Sequence, residues 1–263
     1  MTIPALSLAS NPSIQISMRE AIVEELIELA GVPDTQEEEL TTEFLKMVQP
    51  PEHFHDPRMM TGEDRRLLLF WYWLNTRKRA ELVLIYDCDH CGKPHSYVPD
   101  VKEVANGYRT ISGACYREIE FCGKQARVRP LNGEQLEYLE AMRAAMGQQP
   151  PGSKEALIAA AKIRLKKLCF HVDIRTVSPE RHRDEREKKI ELYIRSQPET
   201  ALVDLAEKVE AKLAEMKHGL DCHVDPEGRI YLNMPPHQCP NGGKEDQTAP
   251  QYRFRADDYI PRI

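Results

Sequence analysis

The chain has 263 residues, 41% of them hydrophobic, which is enough for one large folded domain or two smaller ones. Its formal net charge of −6 disfavours a protein that binds nucleic acid mainly through phosphate contacts. The longest apolar run, Leu67–Leu74, falls far short of the roughly 20 residues that cross a bilayer, so we expect no membrane partner. Seven cysteines without an export signal predict reduced thiols or metal ligands, made in a reducing cytoplasm or in a particle assembled there.

The first 146 residues predict an arm, three helices, two hairpins and a fourth helix. Residues 1–16 contain prolines and serines and predict an extended arm. Capping-box patterns predict that the first three helices begin near these residues: Ser17, Thr35 and Thr61. Alternating and apolar stretches predict one hairpin from Ala80–Asp87 and Pro94–Val98, and a second within 114–130. Asn132 then begins a helix that runs to Met146, so residues 17–146 form a helical layer with a cysteine-rich β module.

A proline- and glycine-rich stretch, residues 147–152, predicts a linker before a second helical region, residues 153–234. Three helices are expected there, beginning at Ser153, Ser178 and Pro198. The spacing of the first predicts that its apolar face is buried; that face comprises Leu157, Ile158, Ala161, Leu165 and Leu168. A hairpin over 220–234 and a polar tail, residues 235–263, complete the chain. The predicted fold class is α+β, mainly helical, with a small antiparallel hairpin sheet held by zinc and a helical C-terminal region.

The motif Cys88-x-x-Cys91-Gly92 is typical of half of a tetrahedral zinc site. Two thiolates two residues apart bind one ion from a tight turn, and the glycine relieves crowding of the backbone. A thioredoxin-like redox role is disfavoured, because Gly92 and Pro94 oppose the helix that would lower the pKa of the first thiol.

The other ligands of this site are predicted to be Cys115 and Cys122, which complete a four-cysteine set with the first pair. They are spaced C-x6-C, which is not a standard second knuckle, and His95 is a fifth candidate that could replace either. Zinc is the expected ion, and an iron–sulfur cluster on four thiolates is the alternative. Cys115 and Cys122 could also be buried thiols that act as small apolar residues.

A second cluster of cysteine and histidine occurs near the C-terminus; it comprises Cys222, His223, His237 and Cys239. The predicted hairpin could bring these side chains together around a metal, but no knuckle spacing is present, so we favour an incidental cluster. Cys169, at the end of an apolar helix, is expected in the core. The sequence contains no G-x-S-x-G, P-loop, G-x-G-x-x-G or H-E-x-x-H motif, and we therefore expect a protein that is not an enzyme.

Several elements together resemble one family. They are Asp64-Arg65 before Leu67-Leu68-Leu69, the Cys88-x-x-Cys91-Gly92-Lys93 knuckle, the returning strand near Val98-Pro99-Asp100-Val101, the stretch Val128–Glu134 before a helix, and Cys239-Pro240-Asn241-Gly242. In this order they are similar to the T4-type bacteriophage baseplate protein family, over roughly residues 55–245.

This resemblance implies a structural or assembly protein of the baseplate hub in a contractile phage tail. Its partners would be other baseplate and tail proteins, and several copies could be arranged in a symmetric assembly. Its location would be the virion, and the host cytoplasm during assembly. Two alternatives remain open: a zinc-binding interaction module with a regulatory or nucleic-acid partner, and a metalloenzyme, which would need an open coordination position.

Overall fold

A computed structural model describes residues 3–33, 35–174, 176–177, 183–225, 228–243 and 245–261. Helices account for 43% of the described residues and strands for 17%, so the fold mixes both types of element. Every paired strand in the described part of the chain is antiparallel, and the sheets contain two or three strands each. The expected combination of helices with small antiparallel sheets is therefore present.

Nine α-helices lie within the described residues, and the caps of two of them follow the sequence signals. In chain order they are α1 (Val23–Leu29), α2 (Glu37–Met47), α3 (Gly62–Thr76), α4 (Val101–Asn106), α5 (Gly133–Gly147), α6 (Lys154–His171), α7 (Arg183–Arg195), α8 (Glu199–Glu215) and α9 (Ala256–Tyr259). Asn132 caps α5 in a capping box with Gln135, and Ser153 Oγ accepts a hydrogen bond from the N–H of Ala156. None of these helices is long and apolar enough to span a membrane.

The described strands are short. They are β1 (Leu6–Ser7), β2 (Gln15–Ile16), β3 (Leu84–Asp87), β4 (Pro94–Tyr97), β5 (Arg117–Phe121), β6 (Lys124–Val128), β7 (Val172–Asp173), β8 (Cys222–Val224), β9 (Ile230–Asn233), β10 (His237–Gln238), β11 (Gln247–Thr248) and β12 (Gln251–Phe254). They form the pairs β1–β2, β3–β4 and β10–β11 and the three-stranded sheets β5–β6–β7 and β8–β9–β12. The two hairpins predicted before residue 131 are both confirmed as β3–β4 and β5–β6.

The chain folds into two units. The first unit contains Met1–His55, Glu63–Thr110 and His218–Ile263, and the second contains Asp56–Gly62 and Ile111–Lys217. The stretch interpreted as a linker, residues 147–152, connects α5 to α6, and both helices belong to the second unit. The predicted helix start at Ser178-Pro179 and the hairpin residues Pro226 and Glu227 lie outside the described residues.

Helix α3 is the centre of the first unit. Four consecutive residues, Leu67 to Phe70, are almost completely buried, so other parts of the unit cover this helix on several sides. The ring of Tyr72 meets Phe44 of α2 edge-on at 4.8 Å. Because so many apolar side chains leave water here, burial of α3 is a main source of stability for this unit.

The expected extended arm packs onto the first unit as a short hairpin. Leu6 and Ile16 are buried, and β1 pairs with β2. The backbone N–H of Ser10 donates to Asp64 Oδ1 at 3.0 Å, and its hydroxyl donates to the other carboxylate oxygen. The first helix begins later than its Ser17 pattern predicted, because Ile22 and Glu25 form the cap of α1.

The expected polar tail is also structured. It contributes β10, β11, β12 and α9, and Tyr259 is fully buried against the rings of Phe70, Trp73 and Phe254. A few apolar residues at wide spacing are enough to anchor the segment, although its average composition is polar. A prediction from the average composition of the segment therefore missed the few apolar residues that pack it onto the first unit.

The second unit packs the β5–β6–β7 sheet against α6, α7 and α8. Its main core joins Phe121 and Val128 of the sheet to Ile194 of α7 and Leu205 of α8. A smaller cluster lies between α5 and α6, where Leu139 and Ile163 are buried together with Leu131 and Phe170. The predicted burial of α6 is correct for its C-terminal half only.

The N-terminal half of α6 differs from its prediction. Leu157, Ile158 and Ala161 are exposed, whereas Leu165 and Leu168 pack against the core. Helical spacing identifies one apolar face, but the neighbouring elements cover that face only beyond Ala161.

Candidate metal centre

The hairpin β3–β4 presents the Cys88-x-x-Cys91 motif at its tip. Asp87 pairs with Pro94 at the last position of the ladder, and the N–H of Cys88 donates to the carbonyl of Lys93 at 3.1 Å. The N–H of Gly92 donates to the carbonyl of Cys88 at 2.8 Å and closes the turn. Gly92 has φ +63°, a left-handed conformation that a residue without Cβ adopts at little cost.

Four side chains of the first unit converge at this turn: Cys88, Cys91, His95 and Cys239. One donor atom from each lies within 4.8 Å of all the others. The Nε2 atom of His95 is 3.2 Å from the Sγ of Cys91 and 3.8 Å from the Sγ of Cys239. Zinc bonds of about 2.3 Å to sulfur and 2.0–2.1 Å to nitrogen give tetrahedral ligand separations of about 3.5–3.8 Å. The group therefore has the donor types and spacing of a site that could hold one metal ion.

Cys239 reaches the group because it follows β10, which pairs with β11 as a second hairpin. The N–H of Cys239 donates to the carbonyl of Asp246 at 2.8 Å, and the N–H of Gly242 donates to the carbonyl of Cys239 at 3.1 Å. The carboxylate of Asp246 also accepts the N–H of Gly243 at 2.7 Å. Cys239-Pro240-Asn241-Gly242 thus forms a turn like that of the first motif, but supplies one thiol.

Side chains from this second hairpin also meet the sulfur atoms of the first. The hydroxyl of Thr248 is 3.7 Å from the Sγ of Cys88, and the amide of Asn241 approaches the Sγ of Cys91 at 3.9 Å. Weak donors of this kind orient ligands and lower the charge on bound sulfur.

Aromatic side chains cover one side of the group. His237 stacks on Tyr97 with ring centroids 4.4 Å apart, and its Nδ1 is 2.6 Å from the hydroxyl of Tyr86. The ring of Tyr86 also meets His95 edge-on at 6.0 Å. These contacts join β3, β4 and β10 beside the thiols.

The thiols differ in acidity. Hydrogen bonding from the backbone of Cys91 lowers the pKa of the Cys88 thiol to about 6, whereas burial raises the pKa of Cys239 to about 11. Several thiolates in so small a volume repel one another, so a bound cation would be needed for all of them to ionise. This electrostatic conflict is expected of a group of thiols that folds around a metal.

The predicted four-cysteine set needs correction. Cys88 and Cys91 are together, but among the described residues their companions are His95 and Cys239, and Cys115 and Cys122 belong to the second unit. The latter two stand at opposite ends of β5: Cys115 packs beside the core, and Cys122 is exposed in the turn before β6.

The second predicted cluster is divided in the same way. Cys239 belongs to the group of four, and His237 lies beside it. Cys222 and His223 are in β8, where His223 Nδ1 is 3.1 Å from Asn233 Oδ1 and its ring stacks on Tyr231. Cys169 is buried as predicted, and burial raises the pKa of its thiol to about 12. The sequence signal for Cys239 was its position before Pro-Asn-Gly, which is typical of a tight turn.

Comparison of the chain with known protein families, with curated proteins and with solved structures finds no match.

Proposed function

We propose that the chain is a non-catalytic structural or assembly protein whose first unit is held together by one zinc ion. The ligands would be Cys88, Cys91, His95 and Cys239. The observation that carries this proposal is the convergence of four protein donors, because structural zinc sites are closed by four side chains and catalytic sites keep one position open.

The chemistry of the donors supports zinc over other ions. Three thiols and one imidazole suit zinc, whereas magnesium and calcium prefer oxygen ligands. A four-iron cluster usually has four cysteine ligands, and here the fourth donor is His95. Zinc bound in this way would add folding free energy and chemically inert cross-links.

The ion would act as a clamp between distant parts of the sequence. Its ligands come from the hairpin β3–β4 and from the turn after β10, which lie far apart along the chain. The clamp would hold the C-terminal hairpin against β3–β4 and so stabilise the surface that both present. A rigid surface of this kind suits a protein that acts through contacts with partners.

The biological setting that we propose is the baseplate of a contractile phage tail, with other baseplate and tail proteins as partners. Support comes from the sequence resemblance and from the structural roles of its motif residues. Asp64 accepts hydrogen bonds from Ser10, and the buried Arg65 donates to the Thr42 hydroxyl at 2.9 Å and pairs with Glu38 at 3.3 Å. These contacts join α3 to α2 and to the N-terminal segment, so both motif residues have a structural role in the first unit.

Metal analysis of the purified chain tests the clamp. We expect one zinc per chain in the wild type and in Cys122→Ser, whose exposed thiol lies outside the group, and a loss of zinc in Cys88→Ser and Cys239→Ser. X-ray absorption should find three sulfur ligands and one nitrogen. Equal zinc in all four proteins, or a water oxygen in place of a protein ligand, would contradict a closed structural site.

The proposed setting has its own test. Reading frames for tail-tube, tape-measure or hub proteins should flank the gene, and the chain should be found by mass spectrometry in purified tails. A metabolic operon around the gene would contradict the baseplate role and favour a zinc-binding interaction module.

A further inference from the structure

Helix α1 and the residue that caps it expose an apolar face. The exposed fractions are 56% for Ile22, 65% for Val23 and 60% for Ile27. Val23 and Ile27 are four residues apart and therefore share one side of the helix. Large β-branched side chains are more often buried, so three of them together form an unusual surface.

The N-terminal half of α6 exposes a second apolar face. Leu157 is 62% exposed and Ile158 is 45% exposed, and Ala161 continues the same side one turn later. Their spacing is that of a helix side that packs against another element. Within the described part of its own unit, this side faces solvent.

The two faces have opposite charge. Around the α1 face stand the exposed Glu24 and Glu28. The nearest basic residues along the chain, Arg19 and Lys46, are each paired with an acidic side chain, Glu25 and Glu43. Around the α6 face stand the exposed Lys154, Lys162 and Arg164, and Glu155 is the one acidic residue of that helix. Each face thus has an apolar centre with charges that complement the other.

We propose that the α1 face of one copy of the chain docks on the α6 face of a second copy. Opposite charges would orient the two helices, and burial of the apolar centres would supply the attraction. The two faces are different, so the contact is heterologous and leaves one face of each kind free at the ends of a pair. Repetition of this contact produces a ring or an open filament.

The size of the faces predicts a weak contact. Helix α1 has seven residues, and about half of α6 takes part, so the buried area falls near the lower end for specific interfaces. Association should therefore depend on concentration, and salt should weaken it because the rim charges are exposed. This inference is independent of the zinc clamp, whose ligands lie outside both helices.

Sedimentation velocity on the full chain tests the proposal. The wild type should be a 30.3 kDa monomer when dilute and should form larger species as the concentration rises. Reversal of the α1 rim (Glu24→Lys with Glu28→Lys) or of the α6 rim (Lys162→Glu with Arg164→Glu) should each abolish that rise.

The decisive measurement is an equimolar mixture of the two reversed chains. The basic α1 rim of one then faces the acidic α6 rim of the other, so the mixture should associate although neither chain does so alone. This rescue also controls for folding, since a misfolded variant could not take part. A wild type that remains monomeric at every concentration, association that survives either reversal, or a mixture that stays monomeric would each overturn the proposal.

Discussion

Substitution of Cys239 tests most directly whether the C-terminal hairpin is clamped by a metal. Cys239→Ser replaces a proposed sulfur ligand by a hydroxyl of similar size, while the other proposed ligands, Cys88, Cys91 and His95, remain. We expect zinc affinity to fall, and the first unit to unfold more easily, because the connection between the two hairpins is lost.

The magnitude follows from the number of ligands. Structural zinc binding contributes about 10–16 kcal/mol in small domains, so one of four ligands accounts for about 3–4 kcal/mol. That corresponds to a zinc affinity about 10²–10³-fold weaker. With zinc in excess, the same factor lowers the free energy of unfolding by about 2.7–4.1 kcal/mol. For a domain of about 150–250 residues, the melting temperature should fall by about 5–16 °C.

The assay combines a competition titration against a zinc chelator with thermal unfolding, in excess zinc and after chelation. Cys122→Ser is the matched control, because its thiol is exposed and outside the group. The difference between wild type and Cys239→Ser should largely disappear in the chelated samples. The reasoning would be refuted if Cys239→Ser kept the zinc affinity and melting temperature of the wild type while both values fell in Cys88→Ser.

Three further predictions concern stability and pH. The buried hydroxyl of Tyr259 has no hydrogen-bond partner among the described residues, so Tyr259→Phe should preserve or slightly raise the free energy of unfolding. Tyr259→Ala removes the buried ring and should lower that free energy by about 3–5 kcal/mol. Urea titrations measure both. In the same assay, Arg65→Ala should lower the free energy of unfolding by about 3–5 kcal/mol, because it leaves polar partners in the core. Lys46→Ala, which removes an exposed ion pair, should lower it by less than about 1 kcal/mol. Similar losses of stability in the two variants would contradict the role assigned to Arg65. The pKa of Cys88 is about 6 in the folded chain and about 8.5 for an ordinary thiol, so its contribution to the stability of the metal-free protein is complete above about pH 8.5 and is lost as the pH falls through 6. Ultraviolet thiolate absorbance should show this titration in the wild type and not in Cys88→Ser; an unchanged titration would contradict it.

Local sequence signals determined a large part of the secondary structure. The Asn132 and Ser153 caps, the β3–β4 hairpin and the Cys88-x-x-Cys91 turn all depend on residues a few positions apart, so their patterns are readable without the rest of the fold. The same locality explains why Cys88 and Cys91 were predicted as a pair, and why His95, four residues further on, was already a candidate ligand, whereas the distant Cys239 was not joined to them.

Tertiary structure determined which residues that are distant in the sequence lie close together in the fold. Cys239 was selected over Cys115 and Cys122 because the hairpin that carries it packs beside β3–β4, and spacing along the chain contains no information about that packing. Periodicity likewise identified the apolar side of α6, but whether Leu157 is covered depends on which elements lie next to it. Local propensity acts within a few residues, whereas burial and metal coordination depend on where the whole chain places distant groups, and that information exists only in three dimensions.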